Sequence, residues 1–230
     1  MITKVMTNIE REKQLAAEAA AQLVEDGMTV GLGTGSTAAY LLAPLARRGL
    51  EIRCVATSPP ITRNAVRLGL EVVEFAGDDA PSHLDITIDG ADQVDRSGWL
   101  VKGGGGAHTR EKIVAAAASR FVVIVSSNKL VEELSPPIPL ELSQFGLAST
   151  VSRLGRVRLR NMPLSPDGGV IADYLGPVDD PEALATRLSA TPGIVQHGLF
   201  ASSMVADVVV GRGDGVKRIH VDTHRVTRAG

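Results

Sequence analysis

Residues 85–112 read DITIDGADQVDRSGWLVKGGGGAHTREK. An apolar, strand-like run ends at Asp89, and Asp92 follows it closely. Lys102 opens a loop of four consecutive glycines, and Glu111 lies where that loop should turn into a helix. Consecutive glycines cost chain entropy, and a chain usually keeps them where its backbone must approach another group closely. A flexible surface loop beside solvated charges is the alternative that these residues alone leave open.

The same order of strand, loop and helix recurs on both sides of these residues. The capping box Thr7-Asn8-Ile9-Glu10 predicts an N-terminal helix. Strands are predicted at 29–32, 52–56, 72–75, 84–88 and 121–125, with helices at 38–47, 61–68 and 109–119. Strands that alternate with helices form mostly parallel sheets covered on both faces. The sequence therefore predicts an α/β protein with a Rossmann-like, mostly parallel sheet.

A different order of elements begins at Pro136-Pro137-Ile138-Pro139, a stiff segment that marks a domain boundary. The pattern beyond it predicts strands at 138–142, 157–159, 170–174 and 194–197, and helices at 145–154 and 181–190. The order βαββαβ is that of a small ferredoxin-like α+β domain. Apolar strands at 205–210 and 216–221 then return to the first sheet. We predict a Rossmann-like domain of residues 1–136 plus 201–230, with an inserted α+β domain of residues 137–200.

Length and composition exclude several classes of protein. The chain has 230 residues, of which 44% are hydrophobic, and its net charge of −2 comes without a basic stripe. That charge argues against a nucleic-acid partner. The single cysteine, Cys54, permits no disulfide or thiolate cluster within one chain and is expected to be buried. Because the N-terminus lacks a signal-peptide core and the apolar runs are short, we expect a cytoplasmic protein with no membrane partner.

The C-terminal end carries no predicted site. His220 and His224 have a spacing that suits a metal, but the sequence supplies no further ligands beside them. We therefore expect no metal there. Residues 222–230 are polar and basic, and they are expected to form a frayed tail.

The loops that follow the predicted strands carry many of the polar side chains. In open parallel α/β sheets the ligand lies at the carboxyl ends of the strands. The loops at 33–37, 57–58, 89–92 and 126–129 all lie there, and the Lys102 loop leads into the next helix N-terminus. Hydroxyls, backbone donors, Lys102, Lys129 and three carboxylates are therefore expected to form one site for a small polar anion.

The loop Gly33-Thr34-Gly35-Ser36-Thr37 follows a strand and precedes a helix. Unpaired N–H groups and the positive end of the helix dipole suit a phosphate at such a turn. The loop also fits a loose dinucleotide fingerprint. However, Thr57 and Ser58 stand where a nicotinamide site needs an acidic residue. A monophosphate is therefore preferred to a dinucleotide.

The carboxylates of the central residues allow several roles. Asp89 and Asp92 could bind Mg²⁺ with a phosphate, form an Asx turn and a helix cap, or do acid–base chemistry on sugar hydroxyls. Glu111 stabilises a helix N-terminus whether or not it is catalytic. That position lowers its pKa, whereas a base at neutral pH benefits from a raised one. Burial and the two aspartates would have to oppose the helix.

Several motifs, in this order, resemble those of ribose-5-phosphate isomerases of the A type. They are Gly31-Leu32-Gly33-Thr34-Gly35-Ser36-Thr37-Ala38, Asp89-Gly90-Ala91-Asp92, Lys102-Gly103-Gly104-Gly105, Thr109-Arg110-Glu111-Lys112, Thr191-Pro192-Gly193-Ile194-Val195, Gly198-Leu199-Phe200 and Asp214-Gly215-Val216-Lys217. The resemblance covers nearly the whole chain. It implies an enzyme of the pentose phosphate pathway that interconverts ribose 5-phosphate and ribulose 5-phosphate through an ene-diol(ate). Neither a cofactor nor a metal is implied.

The resemblance also implies a role for each matching residue. Glu111 matches the general base, and Lys102, Asp89 and Asp92 match its catalytic partners. Asp89 is expected to transfer the proton in ring opening, and Asp92 to hold a hydroxyl or orient Lys102. Lys13 falls where the family often has a further basic contact. The substrate-binding positions are Thr34, Gly35, Ser36, Thr37, Asp89, Gly90, Ala91, Asp92, Lys102, Gly103, Gly104, Gly105 and Lys129.

Other implications and alternatives accompany this resemblance. A homo-oligomer, dimer or tetramer, is expected, with the small domain as a possible interface. Gln93 stands where the family usually has a glutamate, and His108 occupies an apolar position. An amino-sugar phosphate deaminase would need a catalytic histidine, for which only His108 is a candidate. A coenzyme A transferase would use a glutamate nucleophile. A non-catalytic sugar-phosphate sensor would not need Lys102 and Glu111 together.

Overall fold

The fold is described for residues 7–221 of a computed structural model. The predicted tail, 222–230, and His224 lie outside the described residues. Helix α1 (Asn8–Ala21) confirms the predicted capping box, because Glu10 N donates to Thr7 Oγ1 and Thr7 N donates to Glu10 Oε2. The buried alanines of α1 pack against the central sheet in the main apolar core.

Strands and helices alternate through the first part of the chain, as predicted. After α1 the elements are β1 (Thr29–Leu32), α2 (Ser36–Arg47), β2 (Arg53–Ala56), α3 (Pro59–Arg67), β3 (Glu71–Val72), β4 (Leu84–Gly90), β5 (Gln93–Val94), β6 (Leu100–Val101), α4 (His108–Ala116) and β7 (Ala118–Ser126). The predicted strand at 72–75 is wrong in its bounds, because the observed strand β3 covers only Glu71–Val72. The chain leaves the sheet edge after Val73 N donates to Cys54 O.

The second part of the chain follows the predicted βαββαβ order. Its elements are β8 (Ile138–Leu142), α5 (Leu147–Leu154), β9 (Val157–Leu159), β10 (Val170–Tyr174), α6 (Pro181–Ser189) and β11 (Ile194–His197). They form an antiparallel sheet in the order β11-β8-β10-β9. Helix α5 begins later than predicted, and Phe145 precedes it on the surface with 94% exposure. The described fold confirms the ferredoxin-like arrangement.

The chain then returns to the first sheet through β12 (Leu199–Phe200), β13 (Asp207–Arg212) and β14 (Gly215–His220). The large sheet has the order β14-β13-β7-β4-β1-β2-β3, and its neighbours are parallel except for β13 and β14. This confirms the predicted Rossmann-like, mostly parallel sheet. The short strands β5, β6 and β12 form a sheet of their own, which the sequence pattern did not predict. The exact domain boundaries stay a prediction.

Pairing between β4 and β7 extends both strands beyond their predicted ends. Ala118 and Arg120 pair with Leu84 and Ile86, so β7 begins within the predicted helix and α4 ends at Ala116. At the other end, the pairing of Asp89 with Val123 carries β4 on to Gly90. Sheet pairing thus overrides the local pattern. As a result, Asp89 belongs to β4 and not to the turn after it.

Two further expectations concern buried and membrane-spanning segments. Cys54 is fully buried in β2, as predicted, and burial raises the pKa of its thiol to about 12. Between residues 7 and 221, no helix combines the length and apolar character needed to cross a bilayer.

Candidate active site

Asp89 is held at the carboxyl end of β4, under the loop that follows β1. Its Oδ1 accepts a hydrogen bond of 2.7 Å from Gly90 N. A Cβ atom added to Gly33 would lie 1.9 Å from Asp89 Cγ. Only glycine therefore fits at position 33, because the Asp89 side chain occupies the space that any larger residue would need. This close contact, which the sequence did not predict, accounts for the first glycine of the loop.

Lys102 lies between two buried carboxylates. Its Nζ is 2.7 Å from Asp89 Oδ2 and 3.2 Å from Glu111 Oε2, and it donates to Gly90 O at 2.6 Å. The side chains of Lys102, Asp89 and Glu111 are at most 3% exposed. Ion pairs in such a place are weakly screened by water and salt, so each charge strongly influences the others. The sequence predicted that these residues converge, but not that they are buried.

Burial changes the protonation of this cluster. Burial, helped by the charges of Asp89 and Asp92 and opposed by Lys102, raises the pKa of Glu111 to about 8. Burial also raises the pKa of Asp89, again against the effect of Lys102. For Lys102, burial would lower the pKa, but the carboxylates of Asp89 and Glu111 outweigh it and raise the value. The desolvation of Glu111 therefore overcomes its position near a helix N-terminus.

A cavity of about 240 Å³ opens beside the cluster. Lys102 and Glu111 contribute to its wall, and Lys13 and Lys129 give it further positive charge. Asp89 is the exception among the predicted substrate-binding positions, because it lies beneath Lys102 and does not line the cavity. The lining residues are Lys13, Thr34, Gly35, Ser36, Thr37, Gly90, Ala91, Asp92, Lys102, Gly103, Gly104, Gly105, Glu111 and Lys129.

The end of the cavity at α2 suits an anion. Gly35 precedes α2 with φ 116°, and no side chain caps that helix. The N–H groups of its first turn are therefore available to a ligand. Lys13 Nζ donates to Ser36 Oγ at 2.8 Å, which brings an ammonium group to the same place. The Thr34 hydroxyl lies 2.7 Å from that of Thr57, so the predicted loop at 57–58 supports the site from behind.

Asp92 is oriented by the glycine loop. Its Oδ2 accepts a hydrogen bond of 2.8 Å from Gly104 N, and a Cβ on Gly104 would come within 2.9 Å of Asp92 Oδ1. The expected alternative of a local Asx turn and helix cap does not describe this contact. Asp92 reaches across to a different loop and remains on the cavity wall. A carboxylate in that place can accept hydrogen bonds from a polar ligand.

His108 does not belong to the cavity. It is fully buried behind the glycine loop, and its Nε2 lies 3.4 Å from Gln196 O. Burial lowers its pKa to about 3, so the ring is neutral at physiological pH. His108 therefore does not lie where the catalytic histidine of a deaminase would have to lie. Gln93, the other departure, bonds the backbone of Ser135 and does not contact the cluster.

A second, larger cavity of about 610 Å³ lies near α3 and the outer face of α4. Its lining is mainly apolar, with residues such as Val55, Phe75 and Ile113. It contains no buried ion cluster of the kind formed by Lys102. The smaller cavity is therefore the better candidate for a site of chemistry on a polar anion.

Within the described range, no group of three or more His, Cys, Asp and Glu side chains is arranged to hold a metal ion. The residue that sequence analysis missed is Arg160, which donates to two carbonyls of the glycine loop. It follows β9, far along the chain from the loop that it contacts. No local pattern signals such a contact.

Comparisons with known proteins agree with this geometry. The family model of ribose 5-phosphate isomerase A (phosphoriboisomerase A) matches residues 53–215. The ribose-5-phosphate isomerase A of Methanosarcina acetivorans is 41% identical over 224 residues, which cover 90% of this chain and 93% of that protein. The protein of the same name from Methylorubrum extorquens is 45% identical, over 86% of this chain and 90% of that one.

Solved structures extend the similarity to three dimensions. The ribose 5-phosphate isomerase A of Methanocaldococcus jannaschii superposes with a TM-score of 0.84 at 34% identity, covering 90% of this chain and 97% of that one. A D-ribose-5-phosphate isomerase in complex with phospho-erythronic acid superposes with a TM-score of 0.86 at 33% identity, covering 93% and 100%. From its sequence and its fold, the chain belongs to the ribose 5-phosphate isomerase A family, whose members are aldose–ketose isomerases.

Proposed function

We propose that this protein interconverts ribose 5-phosphate and ribulose 5-phosphate through an ene-diol(ate), with Glu111 as the general base. The observation that carries the proposal is the Asp89–Lys102–Glu111 cluster, buried beside a cavity that is also lined by the N-terminus of α2, Lys13 and Lys129. We place the phosphate at the α2 N-terminus beside Lys13 and the sugar carbons beside Lys102 and Glu111. Proton transfer and oxyanion stabilisation are then available in one place.

Glu111 moves the proton between the two carbons. It takes the proton from C2 of the open-chain aldose and returns it to C1, so one carboxylate on one face of the substrate is sufficient. A general base works best when its pKa lies near the working pH. The pKa of about 8 that burial gives Glu111 meets this condition. A solvated glutamate at a helix N-terminus would be a weaker base.

Lys102 stabilises the oxygen that becomes negative as the C2 proton leaves. Its pKa is raised by Asp89 and Glu111, so the ammonium stays charged throughout the reaction. A fixed cation in a site of low dielectric needs little reorganisation when the substrate charge develops. Asp89 holds this ammonium from below at 2.7 Å. Asp89 is also our candidate for the proton transfer in ring opening.

The remaining groups bind and orient the substrate. Asp92 accepts hydrogen bonds from sugar hydroxyls, and the loop amides of 103–105 face the same ligand. The first turn of α2, together with Lys13 and Lys129, binds the phosphate. Binding energy from the phosphate holds the reacting carbons in productive geometry, although the phosphate takes no part in the chemistry.

An assay with the purified protein tests this function. Ribose 5-phosphate is supplied with EDTA and without a nicotinamide cofactor, and ketose formation is followed. We expect ketose to accumulate to equilibrium and the reverse reaction to start from ribulose 5-phosphate. If no ketose forms while the protein is folded, the isomerase proposal is wrong. A non-catalytic sensor would bind the sugar phosphate in this experiment but leave it unchanged.

The pH dependence of the reaction follows from Glu111. Because a base must be unprotonated to accept the C2 proton, kcat/KM should rise with pH and level off above the pKa of about 8. Below that pKa we expect a fall of about tenfold per pH unit. The measurement is a kcat/KM profile with ribose 5-phosphate. A flat profile between about pH 6 and about pH 9 would contradict the assignment of the base.

Lys129→Ala should mainly weaken substrate binding. Lys129 lines the cavity and is a cation outside the Asp89–Lys102–Glu111 cluster. We expect KM to rise by about 10- to 100-fold with little change in kcat, because one charge-assisted contact is lost. Steady-state kinetics on the variant measure both constants. Lys217→Ala, on the exposed face of β14, is the control and should leave both unchanged. A loss confined to kcat would place Lys129 in the chemistry instead.

The oligomer and the compartment stay predictions. We propose a homo-oligomer in which the small sheet takes part, since the nearby Phe145 is an exposed aromatic side chain. Sedimentation of the purified protein, with Phe145→Ser for comparison, tests the proposal. A monomer at assay concentration would contradict it. The cytoplasmic location is likewise an expectation from the sequence.

A further inference from the structure

The glycine loop that carries the site is bonded from behind by the small sheet. Arg160 follows β9, and its NH1 donates to Gly103 O at 2.9 Å and to Gly104 O at 3.0 Å. On the other side of these peptides, Gly104 N donates to Asp92, and residues 103–105 line the cavity. Arg160 therefore contacts the loop only on the side that faces away from the ligand.

The guanidinium is itself fixed. Its Nε and NH2 donate to Asp173 Oδ1 at 3.0 and 2.7 Å. Asp173 lies in β10 with its side chain 5% exposed, and Arg160 is 18% exposed. A planar guanidinium held along one edge by a carboxylate presents its other N–H group in a defined direction. The two loop carbonyls thus bind a rigid donor that the ferredoxin-like sheet provides.

We propose that Arg160 is a positioning residue for the isomerase reaction. By fixing the carbonyls of Gly103 and Gly104, it directs Gly104 N toward Asp92 and holds the loop amides at the cavity wall. Four glycines in a row otherwise leave the loop many backbone conformations. Through this contact the small sheet contributes to catalysis without touching the substrate. The inference rests on the proposed isomerase function.

Neighbouring arginines allow a matched experiment. Arg158 also donates to Asp173, at 3.1 Å, but its side chain is 63% exposed and the structure gives it no bond to the glycine loop. Arg160→Gln and Arg158→Gln each remove one cation beside Asp173, and only the first removes the bonds to the loop. Arg160→Lys keeps the charge but cannot bind Asp173 and both carbonyls at once. If both Arg160 variants lose activity, the loss comes from the altered geometry of the glycine loop and not from the missing charge.

We expect Arg160→Gln to lower kcat by about 10- to 100-fold, because small misplacements of catalytic groups have costs of this size. Arg160→Lys should lose most of the same activity, and Arg158→Gln should stay within about twofold of the wild type. Competitive inhibition by inorganic phosphate should be unchanged in all three, since the α2 end of the cavity is not touched. Equal kcat in Arg160→Gln and Arg158→Gln would overturn the inference.

Two further measurements keep the result unambiguous. Thermal unfolding of the three variants identifies any general loss of the fold, and kinetics are compared only below the lowest transition. In an Asp92→Ala background, which removes the acceptor of the Gly104 N–H, Arg160→Gln should have a much smaller effect, because the two residues act through the same Gly104 peptide. If the two substitutions lower kcat by fully additive amounts, Arg160 does not act through Asp92. If the wild-type protein itself forms no ketose, the proposed function fails, whereas active wild type with unaffected Arg160 variants refutes only this inference.

Discussion

Replacing Glu111 with Gln should lower kcat by about 10²–10⁴-fold, the usual contribution of a general base. The amide has the size of the carboxylate but cannot accept the C2 proton. Glu111 is 3% exposed, and the neighbouring carboxylate of Asp89 is tied up in its ion pair with Lys102. The amide oxygen can still face Lys102, and we therefore expect the fold and KM to change little. The measurement is steady-state kinetics with ribose 5-phosphate in both directions.

The control for this variant is a second glutamate in a similar local setting. Glu182 also lies in the first turn of a helix, α6, but it is exposed and far from the cavity. Glu182→Gln should keep full activity, which separates catalysis from the general effect of an acidic residue near a helix N-terminus. The rise of kcat/KM through the pKa of Glu111 should also disappear in Glu111→Gln. Near-normal turnover in that variant would remove Glu111 as the base.

Lys102→Met should impair both catalysis and stability. The loss of a preorganised cation beside a developing oxyanion lowers kcat by about 10²–10³-fold. The same change leaves Asp89 and Glu111 buried without their shared cation. Breaking a buried ion pair in this way costs on the order of 3 kcal/mol of unfolding free energy. An exposed control, Lys217→Met in β14, should change neither quantity.

The stability effect of Lys102→Met should depend on pH with a definite sign. Burial already raises the pKa values of Asp89 and Glu111 in the folded protein, and the loss of Lys102 raises them further. The folded state then binds more protons than the unfolded state. The stability of the variant is therefore greatest in acid and falls as the pH rises from about 4, the ordinary pKa of these carboxyls in the unfolded chain. Denaturant unfolding at several pH values measures this trend. Destabilisation that grows toward low pH would contradict it.

The local patterns predicted the sheet and most of the loops that line the cavity. Strand ends followed by glycine and hydroxyl residues are short-range signals, and in a parallel sheet such ends meet at one edge. For this reason Thr34, Ser36 and Lys129 could be assigned to one site before the fold was known. The capping box at Thr7 is equally local, and it was predicted to the residue.

Errors arose where pairing between distant segments decides the outcome. The β4–β7 pairs extend both strands and shorten α4, although the sequence around Ala118 suggests a helix. The same extension puts Asp89 beneath Lys102, which the local pattern did not predict. His108 was the only candidate for the catalytic histidine of the deaminase alternative. Its ring is instead buried behind the loop, near Gln196.

The sequence by itself determined the α/β class, the inserted ferredoxin-like order and the residues that meet at the carboxyl edge, because these depend on local periodicity and on general rules of topology. The tertiary structure alone decided that Glu111 has a raised pKa and that Arg160 bonds the glycine loop. Both properties arise from segments that are far apart in the chain. Burial is the sum of contacts from such segments, and a residue's own neighbours in sequence do not reveal it.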